Sequence, residues 1–198
     1  MHSTPSRRRL LAAASALTLG VGALALSATG PASAAHHGDA HASVPAAVAV
    51  LAPTAGNDTH GVIRFTPLDN GLQVDGEIHG LEPDAEHGFH VHEFGDVSKD
   101  DGTGTGGHFN PEGHDHGLPG GDHPRHAGDF GNVSADGEGV ARVSFFAEGL
   151  SLDPHAGINV LGRGLIVHAK TDDGGQPTGN AGPRIAQAVI GVAAPAGE

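Results

Sequence analysis

Residues 96–128 form a stretch almost empty of apolar side chains and dense in glycine, aspartate and histidine, set between short apolar segments. Thirty-odd residues with almost no apolar side chains can add little to a packed core, and an irregular loop that long inside a compact domain needs another reason to be ordered. The segments around it are too short for helices and alternate at period two, as half-buried strands do. Such a chain is bound to fold as short strands that carry one long loop, the loop held by something other than hydrophobic packing. Its 33 glycines and 13 prolines fit turn-rich β structure.

Before the loop, "AVAVLA", "GVIRFTPL" and "GLQVDGEIHGL" read as three strands, with Asp69-Asn70-Gly71 as a hairpin cue between the last two. "HGFHVHEFG" is a fourth. After the loop, "DFGNVSADGEGVARVSFFAEGL" divides at Asp136-Gly137, "GINVLGRGLIVHAK" follows, and "RIAQAVIGVA" closes the chain. About eight antiparallel strands without an internal repeat predict an all-β fold, a Greek-key barrel or sandwich with a long metal-binding loop.

Metal is the candidate for holding that loop. His90 and His92 lie one residue apart in a strand, so both imidazoles project to one side while Val91 turns to the other. His168 ends a later strand, and the loop adds His108, His114, His116, His123, His126 and Asp129. Imidazole with carboxylate suits zinc, and a cluster of imidazoles suits copper. With 16 histidines in the chain, chance pairs and a solvated, weakly metal-binding loop are the competing reading.

The first residues do not belong to that fold. Arg7, Arg8 and Arg9, an apolar run from Leu10 to Leu26 and then Ala32-Ser33-Ala34 make the pattern of a secretory signal peptide over 1–34. Ser6 to Leu11 fits a twin-arginine export signal as well as a general-secretion one. A retained anchor is the alternative, and no second apolar run of spanning length occurs. Residues 35–45 then form a polar tail with His36, His37 and His41, and 46–198 the folded domain. Cleavage after Ala34 would expose Ala35-His36-His37, whose amine, amides and third-position imidazole can wrap Cu(II) in a square plane.

That cleavage removes three arginines and no acid, taking the formal charge from −13 to −16. So acidic a chain is expected to avoid nucleic acid and, once the signal is gone, membranes. The chain has no cysteine, and its one methionine is Met1. Compositional drift accounts for this, as does life beside an oxidant.

Taken together, "HGFHVHEFGD", "GGHFNP", the His116-Gly117 pair, "RHAGDFGN", "GLIVHAK" and "GNAGPR" resemble, in order and near spacing, the copper/zinc superoxide dismutases. The resemblance runs from about Ala46 to the end. It implies one copper ion per subunit on His90, His92, His108 and His168, and one zinc ion on His108, His116, His126 and Asp129. His108 would bridge the two. Asp172 would link a copper ligand to a zinc ligand, Arg184 would dock the superoxide anion, and His87 would be structural beneath the copper strand. The implied activity is dismutation of superoxide to O2 and hydrogen peroxide, with Arg184 and His108 as catalytic groups, in an exported, secreted or cell-envelope enzyme of open oligomeric state. The alternative is a non-catalytic extracellular protein sequestering copper and zinc on the same fold. His60, His79, His114, His123 and His155 match no ligand block and are expected at the surface.

Two departures stand out. The family's usual disulfide joins the loop before "HFNP" to the last strand, yet residues 102–105 and Gln187 hold no cysteine. Losing such a bridge costs roughly 2–5 kcal/mol in a small secreted domain, so the fold is expected to lean on zinc. The segment between Asp172 and Arg184 is shorter than in better-known members and carries Asp173 but no lysine or arginine.

Overall fold

The computed structural model describes residues 44–156 and 158–194. The signal-like segment 1–34 and tail residues His36, His37 and His41 lie outside the described residues. The described residues form nine strands in order: β1 (Ala47–Pro53), β2 (His60–Leu68), β3 (Gly71–His79), β4 (Glu86–His92), β5 (Asp129–Ser134), β6 (Ala141–Glu148), β7 (Gly164–His168), β8 (Arg184–Val189) and the two-residue β9 (Gly191–Val192). All pair antiparallel in the order β5-β4-β7-β8-β1-β2-β3-β6, with β9 on β1. The two ends of that path, β5 and β6, are joined by a turn, and Phe130 of one meets Phe145 of the other at 5.1 Å between ring centroids. The sheet is thereby rolled into a nearly closed eight-stranded barrel, as expected.

Alternation fills it. Ile63 and Phe65 of β2, Leu72, Val74 and Ile78 of β3, Phe89 and Val91 of β4, and Leu165 and Val167 of β7 are buried in one core. The β2–β3 hairpin turns where expected, with Asn70 at φ 65°, the left-handed region that asparagine tolerates.

Two strands are shorter than their sequence pattern. Ile158 and Val160 alternate like strand residues, but Gly162 sits at φ 76° and β7 begins only at Gly164. The last strand breaks at Ile190, whose amide bonds Arg163 O at 2.9 Å, so Gly191 and Val192 pair with β1 instead.

The barrel also fixes the long loop at its middle and at its C-terminal end. Phe109 N–H donates to Val91 O at 2.8 Å, Val91 N–H to Gly128 O at 2.9 Å and Gly128 N–H to Phe109 O at 2.9 Å. A β-bridge sets His108 against His92. Ahead of His108 the described loop has one 3-10 turn, Thr103–Thr105.

Candidate metal centre

Because Phe89 and Val91 face the core, β4 turns His90 and His92 outward, where the long loop covers them to 0% and 1% exposure. His168 ends the neighbouring β7, and His108 arrives by its bridge to β4. Among the described residues, two groups can each converge on a metal ion: His90, His92, His108 and His168, and His108, His116, His126 and Asp129. In each, the ligand atoms lie within 4.8 Å of one another, and His108 belongs to both. The structure brings together the four residues that the resemblance implies for each metal, while the tail histidines His36, His37 and His41 lie outside the described residues.

Hydrogen bonds on the far side of each ring decide which nitrogen faces the group. A carbonyl only accepts, so His92 Nδ1 donates to Gly106 O at 2.9 Å and His168 Nδ1 to Gly182 O at 3.0 Å. Their Nε2 lone pairs then face each other at 3.4 Å. Both rings are neutral near pH 7: burial, with His108 and His168 beside it, holds His92 well below its ordinary pKa, and burial with His90 pushes His168 down to about 3. Two lone pairs aimed at one point without a proton between them are what a cation satisfies. Buried His90 Nδ1 and His108 Nε2 have no hydrogen-bond partner either, and they belong to the same group. Burial also lowers the pKa of His90, against its hydrogen bond to Asp172.

The second group has the same character with one carboxylate. His108 Nδ1 lies 2.7 Å from Asp129 Oδ1 and 3.4 Å from His126 Nδ1, itself 3.2 Å from Asp129 Oδ1. His116 Nδ1 approaches Asp129 Oδ2 to 3.0 Å but forms no hydrogen bond there, because the angles are wrong. Donor atoms around one tetrahedral ion with bonds near 2.0–2.1 Å sit about 3.3 Å apart, so this crowding fits a shared zinc ion better than a hydrogen bond. The three-imidazole, one-carboxylate set suits zinc, and the all-imidazole set suits copper.

Asp172 ties the groups together. Fully buried, it accepts from His90 Nε2 at 2.8 Å through Oδ2 and from His116 Nε2 at 2.9 Å through Oδ1. Each imidazole therefore presents Nδ1 to its own group, the arrangement that orients metal-binding histidines. Burial opposes ionisation of Asp172, yet the hydrogen bonds from His90 and His116 hold its pKa far below the usual carboxylate range. Asp129 is lowered too, burial again being outweighed, here by His108 and the Gly117 amide. Gly179, at φ 76°, packs so tightly on Asp172 and His116 that a Cβ there would collide with both.

Arg184 opens β8. Its Nη1 donates to Gly102 O and, at 3.1 Å, to Thr105 Oγ1, while Nη2 donates to Gly106 O. Burial lowers its pKa somewhat, opposed by Asp101, and a guanidinium remains charged throughout the physiological range. His87 is buried and donates from Nδ1 to His168 O at 2.9 Å. His60, His123 and His155 are exposed, and His79 and His114 are partly so.

Sequence reading missed the residues that hold these ligands. Asn132 clamps the Asp172 backbone from both sides, at 2.9 and 2.7 Å. Gln176 does the same for His116, at 3.1 and 2.8 Å. The Gly106 and Gly182 carbonyls carry no side-chain signal at all. "GNV" and "GGQP" gave no cue, since partners 40 and 60 residues away meet only in the folded chain.

The family model described as copper/zinc superoxide dismutase matches residues 59–190. The chain belongs to this family. Relatives named "Superoxide dismutase [Cu-Zn]" include one from Paramecium bursaria Chlorella virus 1, 44% identical over 140 residues, which span 67% of this chain and 73% of that one. Another, from Xenopus laevis, is 45% identical over 153 residues, 73% of this chain and 96% of its own. An extracellular copper/zinc superoxide dismutase from Onchocerca volvulus is 42% identical over 160 residues, 75% of this chain and 76% of its own. Among solved structures, the crystal structure of the clock protein EA4 superposes with a TM-score of 0.67 at 40% identity, over 76% of this chain and 96% of that one.

Proposed function

We propose that this family member converts superoxide to O2 and hydrogen peroxide at one copper and one zinc ion. The observation that carries the reading is His108, which offers Nε2 to one ligand group and Nδ1 to the other. His90 Nδ1, His92 Nε2, His168 Nε2 and His108 Nε2 would hold copper; Nδ1 of His108, His116 and His126 with Asp129 would hold zinc. Bound copper supplies the one-electron chemistry, which no side chain here can.

The chain's own contribution is positioning and proton handling. Arg184 aims a charged donor at an incoming anion from beside the His92 ring, and its guanidinium pays for the anion's lost hydration. His108 Nε2, buried and without a hydrogen-bond partner, is the atom placed to carry a proton to the departing product. Asp172 keeps His90 and His116 in the tautomers that leave Nδ1 free.

Export is part of the proposal, supported by the basic, apolar and small-residue pattern of 1–34 and by the extracellular relative. So is a tail in which His36, His37 and His41 capture scarce copper. His37→Ala should slow activation of zinc-loaded protein at limiting copper and leave activity at saturating copper unchanged; equal activation rates would remove the tail from this role. Among the described residues no helix is long and apolar enough to cross a membrane.

Competition with cytochrome c for xanthine-oxidase superoxide tests the main reading on the fully metallated protein. Tight binding of both metals without dismutation would make the protein a copper and zinc store instead.

A further inference from the structure

Arg184 can aim at an anion only as well as the loop beneath it is held, and the chain has no cysteine with which to hold that loop covalently. The loop's first half is a set of inward-turned carbonyls. Lys99 O accepts Gly102 N–H at 3.1 Å; Gly102 O accepts Thr105 N–H at 3.2 Å, Thr105 Oγ1 at 3.0 Å and Arg184 Nη1. Gly106 O accepts Arg184 Nη2 and His92 Nδ1. Four glycines, Gly102, Gly104, Gly106 and Gly107, run through it, and glycine loses the most conformational freedom on ordering. Such a segment needs an anchor.

The anchor is on the same strand as the arginine. Gln187 is 7% exposed and donates from Nε2 to Lys99 O at 3.0 Å. In a regular strand residues three apart face opposite sides. Here the register slips: Val167 pairs with Ala186 and His168 with Arg184, leaving Ile185 as an extra residue. Ile185 and Ala186 both enter the core. A bulge of this kind re-aims the side chains beyond it, and it turns Arg184 to the face that carries Gln187. One strand edge therefore grips the loop twice, at Lys99 through Gln187 and at Gly102 and Gly106 through Arg184.

We propose that Gln187 is a positioning residue for Arg184: its amide fixes Lys99 and, through the Lys99–Gly102 turn, the carbonyls on which the guanidinium rests. The proposal rests on the reading that Arg184 docks an anion beside copper.

Gln187→Met tests it. The thioether keeps the shape and removes the donor; it also removes Oε1, which is buried with no protein partner, so the loss to folding is partly offset. Lys99 O keeps its bond from Gly102. The probe is azide, a small monovalent anion, titrated optically against the copper of the fully metallated protein. Gln187→Met should weaken azide about three- to tenfold, within the range of coupled neighbours, and hydrogen exchange at the Gly102 and Thr105 amides should quicken. In an Arg184→Ala background the same substitution should leave azide affinity unchanged.

An unaltered azide affinity in Gln187→Met with a lowered Tm would make Gln187 a structural tether only. An equal loss in both backgrounds would mean that it acts without Arg184. Either result overturns the proposal, as does unchanged exchange at Gly102 and Thr105. Should Gln187→Met not fold, Gln187→Asn, a methylene too short for Lys99 O, must give the same pattern. If Arg184→Ala alone leaves azide affinity intact, it is the docking role of Arg184 that fails, and a weakening there without one in Gln187→Met isolates the failure to Gln187.

Discussion

His92 and Arg184 share one acceptor: the Gly106 carbonyl takes the His92 Nδ1 proton at 2.9 Å and an Arg184 Nη2 proton beside it. The ring whose Nε2 faces the copper group and the cation that would receive the anion thus rest on one common backbone oxygen, with Gly102 O and Thr105 Oγ1 holding the other side of the guanidinium. If His92 holds copper and Arg184 receives the anion, that shared carbonyl couples the two positions.

Arg184→Ala should leave both metals bound, because His92 keeps its bond to Gly106, yet lower kcat/KM more than about tenfold at low ionic strength, as loss of an oriented charge does. Arg184→Lys should recover only part, since one ammonium cannot span the Gly102 and Gly106 carbonyls as a planar fork does. Steady-state competition assays at matched metal content decide this, and full turnover in Arg184→Ala would take the arginine out of its role.

Asp172→Asn should lower zinc affinity about 10- to 100-fold, the usual cost of losing a partner behind a metal ligand. A carboxylate accepts from His90 and His116 at once; an amide offers one acceptor and turns an NH2 toward the other N–H, so one imidazole must lose its tautomer. Chelator competition measures the change. Wild-type affinity in the mutant would show that the linkage does not orient His116.

The split between what sequence made legible and what it did not follows from these bonds. His90, His92 and Val91 could be sorted by strand alternation alone, and the core at Ile63, Phe65, Leu72 and Val74 likewise. The grouping of His108 with both sets came from resemblance, since spacing along a loop does not say where its rings converge. Asn132, Gln176 and the Gly106 carbonyl stayed hidden because their roles exist only after β5, β7 and the loops are registered. Alternation also overreached: Ile158 and Val160 look like strand, but the left-handed backbone at Gly162 stops β7 before it reaches them.

The metal-free protein should lose stability as pH falls below neutrality. An unfolded histidine titrates near 6.5, while burial lowers His90 and His92 in the fold and pushes His168 down to about 3. Between those values the unfolded chain binds more protons than the folded one, so stability rises with pH across the window and is lost progressively as pH drops through it. Above about 6.5 both forms are neutral and the contribution is flat. The depressed carboxylates Asp129 and Asp172 add a second loss, beginning below about 3.9. Urea midpoints of metal-free protein at pH 7.5, 6 and 4.5, values chosen to bracket the histidine window, should fall in that order. A midpoint independent of pH would contradict buried neutral rings.

Removing zinc should destabilise the fold more than removing copper, for a topological reason. Three copper-group histidines lie on β4 and β7, strands already joined by their own ladder, and only His108 comes from the loop. The zinc group instead takes His108, His116 and His126 from the loop and Asp129 from the start of β5, closing a segment that contributes few residues to the core. No disulfide shares that work. An ion present at about 1,000 times its Kd stabilises by about 4 kcal/mol, which raises Tm by about 8–16 °C in a domain of this size. Selective zinc removal should forfeit a shift of that order, and selective copper removal less than half of it, in calorimetry at fixed protein concentration. Equal shifts would mean that the loop is held by its backbone bonds to Val91 and Phe109, with zinc adding no more than copper does.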